Sequence, residues 1–303
     1  LWCGNNESLT GWKKWGWQKQ YNLHGEDSVK TWNTYNQIFN QYLYFNDSIY
    51  NNYNYWPSSP SSGTNQLQNK YSGNQHEWGV WFGQLPFNQF SKNAGRFISE
   101  YGIQSFPEIN TIKMFAPTVD DWSIETKELQ FRQRSKMPWI SEGYDGFDMI
   151  NYYINLYFPK PKNIEETIYL SQITQALALQ TAAESHRKNK PYTMGTLFWQ
   201  IDDVWPTISW STVDYFGNWK AAHYAIKEAY KPIIICADEK NNHLKIHVIN
   251  DNQEPINGTI KIKLKTLNGI IVKQWEKAII AEANKNQIYL NIALQNIFKN
   301  NKK

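Results

Sequence analysis

The chain of 303 residues has only two cysteines, Cys3 and Cys236, set near opposite ends. Two thiols so placed make no disulfide framework and read as free, buried groups. No run of about 18 apolar residues occurs, so no membrane-spanning helix is expected, and no signal peptide is visible. Net charge is only +4 and the basic residues are scattered, which argues against a nucleic-acid surface. Also missing are an H-E-x-x-H helix, a zinc ribbon, a phosphate-cradling glycine loop and internal repeats. His243 and His247 stand on one face of an alternating segment without a third ligand, so no metal and no cofactor are expected.

Aromatic rings are what the chain has in excess: 15 Trp, 19 Tyr and 14 Phe, alongside many Asn and Gln. Flat rings stack on the C–H faces of sugars, and amides match pairs of hydroxyls. Most of these rings fill the core of a chain this long, but Trp12, Trp15 and Trp17 crowd together just after Glu7. Glu7 and Glu100 each follow an apolar lead-in, in Leu1-Trp2-Cys3-Gly4-Asn5-Asn6-Glu7 and Phe97-Ile98-Ser99-Glu100. A buried parallel strand that delivers an acid to a barrel mouth has this look. Cleavage of a glycosidic bond needs two such carboxylates, one to protonate the leaving oxygen and one to attack or direct water.

Up to about Lys231, short apolar strands alternate with helical stretches, the pattern of a parallel α/β unit. Strands are expected to end near Glu7, Ser58, Trp81, Glu100 and Gln200. Helices are expected over 28–43, Ile164–Lys188 and Phe216–Tyr230. Loops are expected over 51–63 and 138–163. After Pro232 the period becomes two, as in Ile260-Lys261-Ile262-Lys263-Leu264-Lys265, with Asn-Gly turn signals at 257–258 and 268–269. These residues, 232–303, are expected to form an immunoglobulin-like β-sandwich, the two domains being 1–231 and 232–303.

Four blocks carry a resemblance: Trp2-Cys3-Gly4-Asn5-Asn6-Glu7; Ser99-Glu100-Tyr101-Gly102 through Pro107; Gly195-Thr196-Leu197-Phe198-Trp199-Gln200; and Asp203-Val204-Trp205-Pro206 through Trp219-Lys220. With them the chain resembles the C-terminal part of glycoside hydrolase family 2 enzymes of the β-mannosidase type. The resemblance implies a partial (β/α)8 TIM barrel, about strands 4–8, followed by the small sandwich. It implies a retaining exo-β-mannosidase acting on oligosaccharides, with no nucleic-acid or membrane partner. The alternatives are another family 2 β-glycosidase, such as a galactosidase or glucuronidase, and a degenerate carbohydrate-binding protein without turnover. By the same resemblance Glu7 is the acid/base, Glu100 the nucleophile, and Asn6, Trp15, His76, Trp78, Trp81 and Trp199 contact the sugar. Around strand 6 the family pattern Gly-Asp-x-His-Tyr-Trp is altered to Gly73-Asn74-Gln75-His76-Glu77-Trp78. The chain is further expected to lack strands 1 to 3 and, by itself, to be inactive and poorly soluble. The sequence alone assigns neither an oligomeric state nor a compartment.

Overall fold

A computed structural model describes residues 2–43, 55–118 and 122–295. Part of the expected loop over 51–63 therefore lies outside the described residues. Residues 2–196 build two small parallel sheets from short strands. β1 (Trp2–Cys3) pairs with β2 (Tyr55–Trp56), and the pairing continues as a bridge from Asn6 to Ser59. β3 (Gln75–His76), β4 (Phe97–Glu100) and β5 (Gly195–Thr196) form the second sheet, with β4 in the middle. The third strand ends at His76, not near Trp81: Trp78–Gln84 form successive turns, and Trp81 has φ 107°. Its ring is wholly buried, stacked on Tyr153 and edge-on to Trp210, so packing rather than a ladder holds it.

The helices on the N-terminal side are α1 (Ser8–Lys13), α2 (Trp17–Gln20) and α3 (Gly25–Asn36), the last running into a π-helical turn over Gln37–Tyr42. Short helices α4 (Gln89–Asn93), α5 (Ile109–Phe115) and α6 (Lys127–Arg132) follow. α7 (Gly146–Tyr157) occupies much of the expected 138–163 loop. A capping box starts it: Asp145 accepts from the Phe147 N–H and Asp148 from the Asp145 N–H. α8 (Ile164–Lys188) has the expected limits. Asn163 caps its N-terminus through the Glu166 N–H, acids fill its first turn and bases its last, as the helix dipole favours. α9 (Ala221–Ala229) is shorter than the Phe216–Tyr230 expectation, because Phe216–Asn218 make a turn around Asp214.

Ile98, Tyr101, Ile103, Phe106, Tyr153, Leu179 and Ala182 belong to one continuous buried core. Behind it the fourth motif block forms a buried polar knot. Asp203 accepts from the Ser209 and Ser211 hydroxyls at 2.6 Å each, and Asp214 from Thr111 at 2.5 Å. Wholly buried Lys220 donates to the carbonyl and hydroxyl oxygens of Ser105. Burial lowers the Lys220 ammonium to about 8 against the opposing pull of Asp203 and Asp214.

Beyond Pro232 lies the β-sandwich. β6 (Ile233–Lys240), β7 (His243–Asn250) and β10 (Lys285–Ala293) form one antiparallel sheet, and β8 (Ile256–Lys265) pairs with β9 (Ile271–Ala281) in the other. Ile246, Val248, Ile260 and Ala281 close the space between them. His243 and His247 hydrogen-bond Asn291 and Asn286. Cys3 is exposed and Cys236 buried, and both are free, so the expectation of burial fails for Cys3. No described helix is long and apolar enough to cross a membrane.

Candidate active site

Parallel strands carry their C-terminal ends to one side, and Glu7, Ser59, His76 and Glu100 gather there. Glu7 stands just before α1 with φ 59° and ψ 0°, a left-handed backbone that a non-glycine residue adopts at some cost. Two backbone bonds fix it: its N–H donates to the Ser59 carbonyl at 2.6 Å, and its own carbonyl accepts from Gly11 at 2.8 Å. Glu100 ends β4, and its carbonyl accepts from the Glu77 N–H at 2.8 Å.

Between the two acids lies the His76 ring. Nδ1 is 2.7 Å from Glu7 Oε1 and 3.3 Å from Glu100 Oε2, while Nε2 is 2.9 Å from Ser59 Oγ. One donor atom from each of Glu7, His76 and Glu100 lies within 4.8 Å of the other two. Ligand atoms around a tetrahedral cation with bonds near 2.0 Å stand about 3.3 Å apart. The 2.7 Å contact is shorter than that, and a shared proton fits it better than a cation does.

Burial pushes the Glu100 carboxyl up to about 6; His76 opposes the rise, Glu7 adds to it, and the Trp78 indole N–H opposes it. Beside the acids opens a cavity of about 390 Å³ lined by Glu7, Lys14, Trp15, His76, Glu77 and Trp78, among others. Its volume lies in the range that accepts a small ligand. Trp15 is half exposed on its wall and Trp78 is partly buried.

The remaining expected contacts fall elsewhere. Trp81 is core and cannot stack on a ligand, for the packing reason given above. His76 has only 2% of its side chain exposed, and protein groups occupy both its nitrogens, so here it joins the acids to each other. Asn6 is exposed, outside the cavity's lining. Trp199 is 42% exposed and pinned through its N–H to the Tyr101 carbonyl, next to Glu100. Its own carbonyl fills the space where a side chain at Gly102 would go, 2.2 Å from a Cβ built there.

Ser59 and Gln68 went unnoticed in the sequence. The Ser58-Ser59-Pro60 run reads as loop, although a strand-end serine pair opposite a histidine was the available signal. Asn74 and Glu77, where the family pattern has Asp and Tyr, both take structural partners: Asn74 accepts from the Ser61 N–H, and Asn93 donates to Glu77.

Two carboxylates thus stand at the ends of parallel strands, joined by a histidine beside a tryptophan-walled cavity. Residues 242–303 match the family model described as a mannosidase Ig/CBM-like domain. β-Mannosidase B of Neosartorya fischeri is 27% identical over 299 residues, covering 90% of this chain and 34% of that protein. β-Mannosidase B of Aspergillus terreus is 32% identical over 186 residues, covering 60% of this chain and 21% of that one. The crystal structure of a β-D-mannosidase from Dictyoglomus thermophilum superposes with TM-score 0.82 and 31% identity, over 97% of this chain and 34% of that chain. An exo-chitosanase from Amycolatopsis orientalis shares the fold at TM-score 0.63 and 18% identity, over 84% of this chain and 31% of that one. The chain thus spans about a third of the length of the relatives it matches (34%). The resemblance to glycoside hydrolase family 2, β-mannosidase type, holds across nearly the whole chain.

Proposed function

We propose that this chain carries the catalytic pair of a retaining exo-β-mannosidase. The observation that carries the reading is the closeness of Glu7 and Glu100, whose nearest oxygens lie within 4.8 Å. Retaining glycosidases hold their carboxyl groups about 5–5.5 Å apart, whereas inverting ones need about 6.5–9.5 Å to admit a water. Glu100 is the nucleophile that forms the covalent mannosyl-enzyme, and Glu7 first protonates the glycosidic oxygen and then deprotonates water. Trp15 and Trp78 wall the sugar's site, while the exposed Trp199 and Asn6 stand at neighbouring strand ends outside the cavity's lining.

In this reading β1 to β5 are strands 4 to 8 of a (β/α)8 barrel, divided from the sandwich at Lys231–Pro232. The test is release of mannose from an aryl β-mannoside by the full-length polypeptide, with the product's configuration followed by NMR. Loss of turnover in Glu100→Ala with retained configuration in wild type supports the assignment, and turnover undiminished in that variant overturns it. A panel of aryl β-galactosides and β-glucuronides separates the mannosidase from its relatives, because a polar site built for one hydroxyl pattern discriminates strongly. Sugar binding without turnover would favour the degenerate binding protein.

A further inference from the structure

We propose that His76 is a positioning residue whose single Nδ1–H serves both acids in turn, following the negative charge from Glu100 to Glu7 and back. This rests on the reading of Glu7 as acid/base and Glu100 as nucleophile.

The ring is fixed at every point. Gln68 clamps its backbone from both sides, accepting the His76 N–H at 2.7 Å and donating to the His76 carbonyl at 3.4 Å. Ser59 Oγ meets Nε2 at 2.9 Å, Ser99 Oγ meets Ser59 Oγ at 3.2 Å, and Ser99 donates to the Gln75 carbonyl at 3.4 Å. Nδ1 faces two carboxyl groups, so it carries a proton, and Nε2 meets the Ser59 hydroxyl. The other charged groups on this side are Glu77 and Lys14, both on the cavity wall.

One donor with two acceptors suits a double displacement. In the first step a Glu100 oxygen bonds to the anomeric carbon. The bond to the leaving oxygen breaks with its electron pair, and that oxygen takes the Glu7 proton. Glu100 is now a neutral ester and Glu7 a carboxylate. In the second step water attacks the anomeric carbon and gives its proton to Glu7, while the ester's electron pair returns to Glu100. At each stage one of the two is an anion, and the same N–H lies 2.7 Å from one and 3.3 Å from the other. A donor already in place for both states needs no reorganisation between them.

The experiment uses the full-length polypeptide and an activated aryl β-mannoside, with burst and steady-state phases resolved. His76→Leu is expected to slow both phases by about 100-fold, the scale of losing one preorganised donor, with KM nearly unchanged. Its acidic limb moves to higher pH, since His76 holds Glu100 down. His76→Asn keeps an N–H near the Nδ1 position and recovers about tenfold. Ser59→Ala removes a hydroxyl that touches neither acid and leaves the backbone bond to Glu7, and it moves the limb the same way with a smaller rate loss. A rise in KM alone, slowing of only one phase, or an unmoved acidic limb in folded variants overturns the proposal while leaving the mannosidase reading intact. Should wild type turn over no aryl glycoside, that reading fails, and the donor is read by imidazole ¹⁵N NMR. A protonated Nδ1 that shifts in Glu7→Gln, Glu100→Gln and Ser59→Ala supports the shared donor, and an unresponsive one overturns it.

Discussion

The two acids stand in unlike surroundings. Glu100 ends a strand flanked on both sides, between wholly buried Ile98 and Tyr101, with α8 packed behind the same core. Glu7 follows a strand that, among the described residues, pairs with β2 alone; Trp2 is 63% exposed, and nearby α3 buries none of its residues. Similar local grammar, an apolar lead-in and then a carboxylate, thus yields one acid with 12% of its side chain exposed against the core and another with 22% exposed on a thinly covered rim. Neighbours set the chemistry: desolvation raises the Glu100 carboxyl to about 6, and the rim leaves Glu7 facing the cavity.

Several measurements would break or sharpen this contrast. The largest effect belongs to Glu100→Ala, which reduces turnover of an aryl β-mannoside to background. Glu7→Ala on a substrate with a poor leaving group loses roughly 10²–10⁴-fold. With an activated leaving group its first step is spared, and stopped-flow burst kinetics separate the two cases. For the interior side, Lys220→Ala leaves Asp203 buried without its counter-charge and costs about 3–5 kcal/mol in urea unfolding. Leu179→Ala in α8 costs about 2–5 kcal/mol, while Val29→Ser on exposed α3 stays within about 0.5 kcal/mol. Equal losses at 29 and 179 would erase the difference between the two regions.

The smaller effects concern pH. Glu100 titrates near 6 in the folded protein, above its ordinary 4.5, so ionisation there opposes folding. The opposition is absent below about pH 4.5, grows as pH rises, and is complete above about 6. Glu100→Gln therefore melts higher than wild type at pH 7, by roughly 2 kcal/mol or less, and the gap closes on acidification to pH 4. Turnover is expected to move oppositely: it falls as pH drops through about 6, where the proposed nucleophile Glu100 takes up a proton.

Much of this was legible beforehand, for identifiable reasons. Ile164–Lys188 has its cap, its acidic first turn and its basic last turn written in order, so both ends fall where expected. Glu7 and Glu100 were legible because each sits in an unusual string, and the structure brings them together around His76. Trp81 misled because an aromatic between Gly79 and Gly83 looks like a strand end, whereas long-range packing on Tyr153 and Trp210 holds it in a turn. The serine chain behind His76 was illegible for another reason: Ser59 and Ser99 are 40 residues apart, and only the strand order makes them neighbours.

The backbone twist at Glu7 has an evolutionary corollary. Its φ of 59° is a geometry in which asparagine or glycine rests more easily than glutamate. A library ranked only by resistance to heat would therefore enrich replacements at this position that relax the chain and remove the proposed proton donor. Robustness and activity pull on one residue from opposite directions, and selection for the second must continually override the first.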